Sequence, residues 1–279
     1  MLKICYGIQC HKNSEQVILL VNAIVNNGNI VYIHVDLSAD HVFEVLDLYF
    51  KNVAEVTVIK NRIDVTWSGF SQVQATLNLL VESVRQNYDY FILLSGEDVP
   101  LTSNEKLVNF LVSVNEKSVL EVKKQPVLNW RVNRFNFFSE LKYNRSLPVR
   151  SISFLLRKTI LRIFKRKNFK SDDIYYGSSW VCLHKNHINE LLFNNIDSFN
   201  RKFMYTACSD EHYFQSWFMM HSPTQFLNTR LHFVKFHNSS SPVYLTNEQL
   251  TELSNHGEHF FARKVDAETA KRYLDECSE

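Results

Sequence analysis

Three consecutive segments near the N-terminus limit the folds open to this chain. LKICYGI (2–8) is an apolar run of strand length, SEQVILLVNAIVNN (14–27) repeats apolar residues at helical spacing and stops before Gly28, and NIVYIHVD (29–36) is a second apolar run. Strand, helix and strand in that order make a βαβ unit, whose crossover helix makes the two strands parallel. The pattern continues with a helix over about 40–51, a strand at EVTVI (55–59), a long helix at SQVQATLNLLVESVRQ (71–86), a strand at YFILL (90–94) and a helix at 104–114. The spacing therefore predicts an α/β fold: a mostly parallel sheet with helices on both faces. Open sheets of this kind hold ligands beyond the carboxyl ends of their strands. That rule gathers His34, Asp36, Asn61, Arg62 and the stretch Ser95 to Asp98 around one crevice.

Composition excludes several classes. With 279 residues and 45% hydrophobic content, the chain can bury a large core, and nothing fibrous or disordered fits. The longest apolar stretches fall short of the roughly 20 residues that span a bilayer. The N-terminus lacks the small-residue cleavage site of a secretory signal, which places the protein in the cytoplasm as an expectation. Five cysteines, widely spaced and without CxxC or zinc-type spacing, read as free thiols. Among only six glycines there is no GxGxxG and no GxxxxGK[ST], so neither a dehydrogenase-type dinucleotide fold nor a P-loop is indicated.

The net charge of +2 conceals one basic segment, in which ten Lys/Arg and no acid lie between Glu140 and Asp172. Within it, SISFLLRKTILRIFKRK (151–167) sets Ile152, Leu155, Leu156, Ile160, Ile163 and Phe164 at helical spacing among cations. Two readings stand side by side. One is a solvated surface helix with its apolar side on the core. The other is a helix lying on an anionic membrane, where each nearby cation contributes on the order of 1 kcal/mol. No motif or second basic face supports nucleic-acid binding.

Eight collinear stretches resemble one family. They are CYGIQCHKN (5–13), VYIHVD (31–36), VTWSGFSQVQATLNLL (65–80), YFILLSGEDVPL (90–101), YYGSSWVCLHK (175–185), SDEHYFQSW (209–217), LHFVKF (231–236) and HFFARKVD (259–266). They are similar to the core-2/I-branching enzymes and peptide xylosyltransferases of glycosyltransferase family 14. The resemblance implies a single Rossmann-like GT-A domain over 1–279, with a basic insertion at about 142–170. It also implies inverting transfer of GlcNAc or xylose from a UDP-sugar to a hydroxyl of a glycan acceptor, and the basic helix adds the expectation that this acceptor is lipid-linked. The chain looks like a bacterial relative acting in surface polysaccharide or lipooligosaccharide synthesis. The UDP-sugar is substrate, and no cofactor or metal is expected.

Site residues follow from the same resemblance. The catalytic base corresponds to Glu211 in Cys208-Ser209-Asp210-Glu211, with Ser209 expected to cap the following helix (212–220). Gly96-Glu97-Asp98 stands where many GT-A enzymes carry DxD, so the phosphates fall to Lys264, the family's phosphate-binding lysine, and to Arg263 beside it. Ser241 lies near the place of a second basic residue in animal branching enzymes. Glu97 and Asp98 either bond donor-sugar hydroxyls or hold their loop. Asp36 and Arg62 are nucleoside contacts or pair with each other. Glu121 and Trp180 are acceptor contacts, and Trp67 is expected in the core. A metal-dependent GT-A transferase using another donor, and an inactive glycan-binding protein of the same fold, remain the alternatives.

Overall fold

The computed structural model describes residues 2–25, 28–144, 146–159, 166, 169–170, 173–237 and 241–277. Strand β1 (Ile4–Cys10) lies at the centre of a seven-stranded sheet. It pairs in parallel with β2 (Ile30–Val35) on one side and β4 (Tyr90–Ser95) on the other, while β3 (Val56–Val58) pairs in parallel with β2. Beyond β4 come β7 (Cys182–His184), β6 (Ser118–Val119) and β8 (Phe226–Leu227), giving the order β3-β2-β1-β4-β7-β6-β8. Only β7 runs against its neighbours, so the mostly parallel sheet expected from the sequence is present.

Helices α1 (Ser14–Ile24), α2 (Asp40–Tyr49), α3 (Ser71–Ser83) and α4 (Asn104–Ser113) occupy the expected segments. In α1, Val17, Leu20, Val21 and Ile24 are buried, an i, i+3, i+4, i+7 stripe laid on the sheet. The two faces of the sheet carry separate apolar clusters, one around Ile8, Leu20 and Ile92 and one around Leu79, Phe91 and Phe214. Gly7 permits the second, since a Cβ there would overlap the Phe91 ring.

The sequence pattern did not announce a second, three-stranded sheet. In it β10 (Phe261–Arg263) runs between β5 (Asp98–Pro100), antiparallel, and β9 (His232–Val234), parallel. Strands of three residues are too short to show alternation. This sheet has its own core of Val99, Leu250, Ala262, Val265 and Tyr273, and its register sets Arg263 directly opposite Asp98.

A short helix α5 (Trp130–Asn133) precedes the basic segment, which forms α6 (Leu147–Lys158); α6 starts before the expected helix and includes Pro148 in its first turn. Its apolar side is not on the core: Leu155 is 62% and Ile152 52% exposed. Ile160, Arg162, Ile163, Phe164, Lys165 and Lys167 lie outside the described residues. Among the described residues no helix is long and apolar enough to cross a membrane, and all five cysteines are free.

Candidate active site

Strands β1, β2 and β4 end together. Asp36 N donates to Cys10 O (2.8 Å) and Gly96 N to Gln9 O (3.0 Å), so the three exit loops share one crevice. Gly96 lets them converge, because a Cβ there would stand 2.8 Å from Cys10 Cβ and 2.9 Å from Val17 Cγ2. On the far side, Leu93 N donates to Val181 O (3.0 Å), which seats Ser179 and Trp180 beside the end of β4.

At the β2 end, Asp36 is committed to its own loop. Its Oδ1 accepts from Ser38 N (2.8 Å) and Ser38 Oγ (2.5 Å), and its Oδ2 from Val65 N (2.9 Å). The expected alternative of an Asp36–Arg62 ion pair is not formed. Arg62 pairs with Asp40 at 2.6 Å, lies over the Phe43 ring, and reaches only the backbone oxygen of Asp36 (3.3 Å). His34 Nε2 accepts from Ile63 N (2.9 Å), and burial pushes its pKa down to about 4.

At the β4 end, Glu97 and Asp98 gather cations. Lys12 Nζ stands 3.0 Å from Glu97 Oε1 and Lys264 Nζ 3.1 Å from Oε2, while Tyr244 Oη donates to Oε1 (2.9 Å). Burial alone would raise the Glu97 pKa, but these partners hold it below the ordinary value. Fully buried Asp98 accepts from Arg263 Nη1 (3.0 Å) and Ser95 N (2.8 Å), with His232 Nε2 at 3.4 Å; here too the partners outweigh burial. The Arg263 guanidinium lies 4.5 Å over the Trp180 ring. Leu245 N donates to Lys264 O (2.8 Å), which brings the loop carrying Ser241 alongside. Among the described residues no cluster of three or more His, Cys, Asp or Glu is placed to hold a metal.

Glu211 sits in a 3-10 turn, Ser209–Glu211, just ahead of α9 (Tyr213–His221), which follows α7 (Lys185–Phe193) and α8 (Ile196–Arg201). The expected Ser209 cap is replaced. Ser209 Oγ is buried against Thr206 Oγ1 (2.8 Å), and Cys208, left-handed at φ 52°, turns the chain so that the helix begins only at Tyr213. Cys208 N is anchored by Ser68 O (2.8 Å) and Ser68 Oγ (3.1 Å). Asp210, half-buried, accepts from Ser179 Oγ (2.6 Å). Glu211 Oε2 accepts from Arg131 Nη1, and Gly177 N donates to Glu211 O (2.9 Å). Gly177 is obligatory, since a Cβ would overlap the Glu121 carbonyl oxygen. Burial and the neighbouring Asp210 raise the Glu211 pKa to about 7 against the pull of Arg131, and burial raises Asp210 as well.

Ser179-Trp180 joins the two halves of the site: Ser179 holds Asp210, next to Glu211, and Trp180 underlies Arg263, next to Lys264. Trp180 therefore belongs to the Arg263 side, whereas Glu121 is ion-paired with Lys123 (2.6 Å) and adjoins the Gly177 turn. Trp67, expected in the core, is 45% exposed.

The family model described as Core-2/I-Branching enzyme matches residues 4–270. The chain belongs to that family. A mouse protein named beta-1,3-galactosyl-O-glycosyl-glycoprotein beta-1,6-N-acetylglucosaminyltransferase 4 is 26% identical over 215 residues, covering 75% of this chain and 45% of that protein. A xylosyltransferase of Ciona intestinalis is 23% identical over 187 residues, covering 66% and 20%. The chain thus spans less than half the length of either relative. Among solved structures, the WbbM bifunctional glycosyltransferase overlaps 98% of this chain and 49% of its own, at 9% identity and a TM-score of 0.45. The α/β sheet with its crevice at the strand ends is the Rossmann-like GT-A arrangement expected of a Core-2/I-Branching chain.

Sequence reasoning gave no role to several residues of this Core-2/I-Branching site. Lys12, Tyr244, Ser179 and Arg131 each meet a site carboxylate from a distant part of the chain. Glu140 is another: its carboxylate accepts from Phe70 N and from Ser71 Oγ (2.9 Å), satisfying the start of α3 and tying residue 140 to the Trp67 loop. Only Lys12 and Ser179 had a sequence signal, inside the family-like stretches CYGIQCHKN and YYGSSWVCLHK.

Proposed function

We propose that the protein is an inverting glycosyltransferase that moves GlcNAc or xylose from a UDP-sugar to a hydroxyl of a glycan acceptor. The observation that carries this reading is a carboxyl group with its pKa near 7, Glu211, joined through Ser179-Trp180 to a set of fixed cations. Glu211 takes the acceptor proton as the acceptor oxygen attacks the anomeric carbon. The bond from that carbon to the β-phosphate oxygen breaks on the opposite face, and UDP departs with the electron pair. Lys264, Arg263 and Lys12 meet the charge that develops on the diphosphate, which supports a metal-independent reaction. Asp36 and Arg62 shape the nucleoside end, and the Ser241 loop adds hydroxyl and backbone groups beside Lys264. Residues 1–279 act as one unit, with the basic insertion as an accessory.

Incubation with a panel of UDP-sugars, with and without EDTA, tests this directly. Slow donor hydrolysis or transfer that persists in EDTA and is lost in Glu211→Gln is the expected result. Activity only with added divalent metal would overturn the metal-independent part, and indifference to all UDP-sugars would overturn the whole.

The exposed apolar arc of α6 among cations supports peripheral contact with an anionic membrane and a lipid-linked acceptor. Free thiols fit a reducing compartment, the cytoplasm, from which a bacterial inner leaflet is reached. Flotation with anionic and neutral vesicles tests it: Ile152→Glu with Leu155→Glu should abolish recovery, and equal recovery on both vesicle types would reject the contact.

A further inference from the structure

Next to the Glu211 turn lies a cleft of about 600 Å³ between the Trp67 loop and α6. Its walls include Trp67, Trp130, Phe154, Arg131, Arg150 and Cys208, and none of the cations that meet Glu97 and Asp98. Arg131 and Cys208 are shared with the catalytic turn: Arg131 holds Glu211, and Cys208 opens the turn that carries it. The cleft therefore leads to the carboxylate that takes the proton. Asn144 sets its width, donating to Trp67 O (2.6 Å) and Ser139 O (3.0 Å) and so tying the approach of α6 to the Trp67 loop.

The cleft's chemistry is one-sided. Aromatic faces, hydroxyls and amides alternate along its lining, the mixture that packs on a sugar ring while bonding its hydroxyls, and no Asp or Glu is among the lining residues. Of its two cations, Arg131 is neutralised by Glu211, whereas Arg150 forms no ion pair among the described residues. The flanking chain sharpens the imbalance, since all ten charged side chains between Glu140 and Asp172 are cationic. Lys142 already pairs with Asp64 (2.9 Å), but a neutral glycan would leave Arg150 unanswered.

We infer that this cleft is the acceptor subsite and that it takes a glycan bearing an acidic group, a carboxylate or a phosphate, which Arg150 engages while a ring lies against Trp67. The inference rests on Glu211 being the base that the cleft serves.

Direct binding tests it without turnover. Glu211→Gln protein saturated with UDP is titrated with an oligogalacturonate, with its carboxyl-reduced neutral counterpart and with a mannose-6-phosphate oligosaccharide. One acidic probe should bind roughly tenfold more tightly than the neutral one. Arg150→Gln in the same background should erase that preference and leave UDP affinity unchanged, and the two acidic probes separate a carboxylate from a phosphate. Equal binding of acidic and neutral probes, binding of none, or a preference that survives Arg150→Gln would each overturn the inference. Failure of the wild-type protein to bind UDP would count against the transferase reading instead, so the two can fail separately.

Discussion

Two acidic dipeptides, Glu97-Asp98 and Asp210-Glu211, stand on either side of Ser179-Trp180 and behave in opposite ways. The first is buried and the second half-buried, and loss of solvent alone would push every one of these carboxyls toward its neutral form. Around the first pair, Lys12, Lys264 and Arg263 outnumber the carboxylates, and the pKa values fall. Around the second, Arg131 is the only cation among the described residues within ion-pair distance, the two acids repel, and the values rise. Pairs whose environments drive them apart in this way divide the labour of a site. On the proposed function, the first pair works as permanent counter-ions that aim cations at the crevice, and the second exchanges a proton.

The largest expected effect comes from removing that proton exchange. Glu211→Gln should lower transfer by about 10²–10⁴-fold, the usual worth of a positioned base. Its stability should move the other way. A carboxyl whose folded pKa lies above its unfolded one disfavours the fold increasingly as pH climbs from the ordinary carboxylate range to about 7. Gln carries no such penalty, so the variant's melting temperature relative to wild type should be higher at pH 8 than at pH 5. A variant that loses activity and melts lower at both pH values would mark Glu211 as structural.

Arg131→Met comes next, and it sharpens the comparison by taking the one cation from the second pair. With burial and Asp210 unopposed, the Glu211 pKa should rise further, so the rise of kcat/KM with pH should move to higher pH. At pH 7 the rate should drop about fivefold, the effect on the ionised fraction of raising a pKa of about 7 by roughly one unit, and recover toward wild type at pH 9. A uniform loss at every pH would show Arg131 positioning the acceptor rather than tuning the base.

How legible all this was follows from distance along the chain. Strands β1 to β4 and helices α1 to α4 declare themselves, the strands β1, β2 and β4 as near-continuous apolar runs buried on both faces and α1 as an apolar stripe at helical spacing. The second sheet does not, since β5, β9 and β10 each offer three residues, and β10 gains its partners from segments about 30 and about 160 positions away. The same division runs through the site. Glu211, Arg263 and Lys264 could be picked out from short family-like stretches, yet their working environment depends on Arg131, Lys12 and Ser179, which no local pattern links to them. Ser209 shows the limit of local rules: its sequence suits a helix cap, but the left-handed Cys208, anchored by Ser68, turns the backbone away from that role.

Lys12→Gln and Lys264→Ala probe the first pair with a smaller effect. On the proposed function each removes one charge-assisted contact to the diphosphate, so UDP affinity should fall about tenfold while uridine, which has no phosphate, binds unchanged. Glu97→Gln should act in the opposite sense on affinity, because it frees both ammonium groups from the carboxylate that now holds them, at a cost in stability from leaving those cations uncompensated. UDP binding that ignored Lys12 and Lys264 alike would break the assignment of this pair to the donor.

The smallest effect expected is a difference in pH response between the two ends of the crevice. Glu97 and Asp98 have depressed pKa values and stay ionised above the carboxylate range, so the cations they aim keep their partners throughout. His11, close enough to Lys12 and Glu97 to feel both charges, is pushed below its ordinary value by burial and by Lys12. Affinity for UDP-GlcNAc, whose diphosphate has no proton to lose in this range, should therefore change by less than about twofold between pH 6 and 8 when measured on Glu211→Gln. Over the same interval kcat/KM of the wild-type protein should climb through a midpoint near the pKa of Glu211, about 7. Donor affinity that climbed in parallel with the rate would place the titrating group among the phosphate contacts and erase the division of labour between the two acidic pairs.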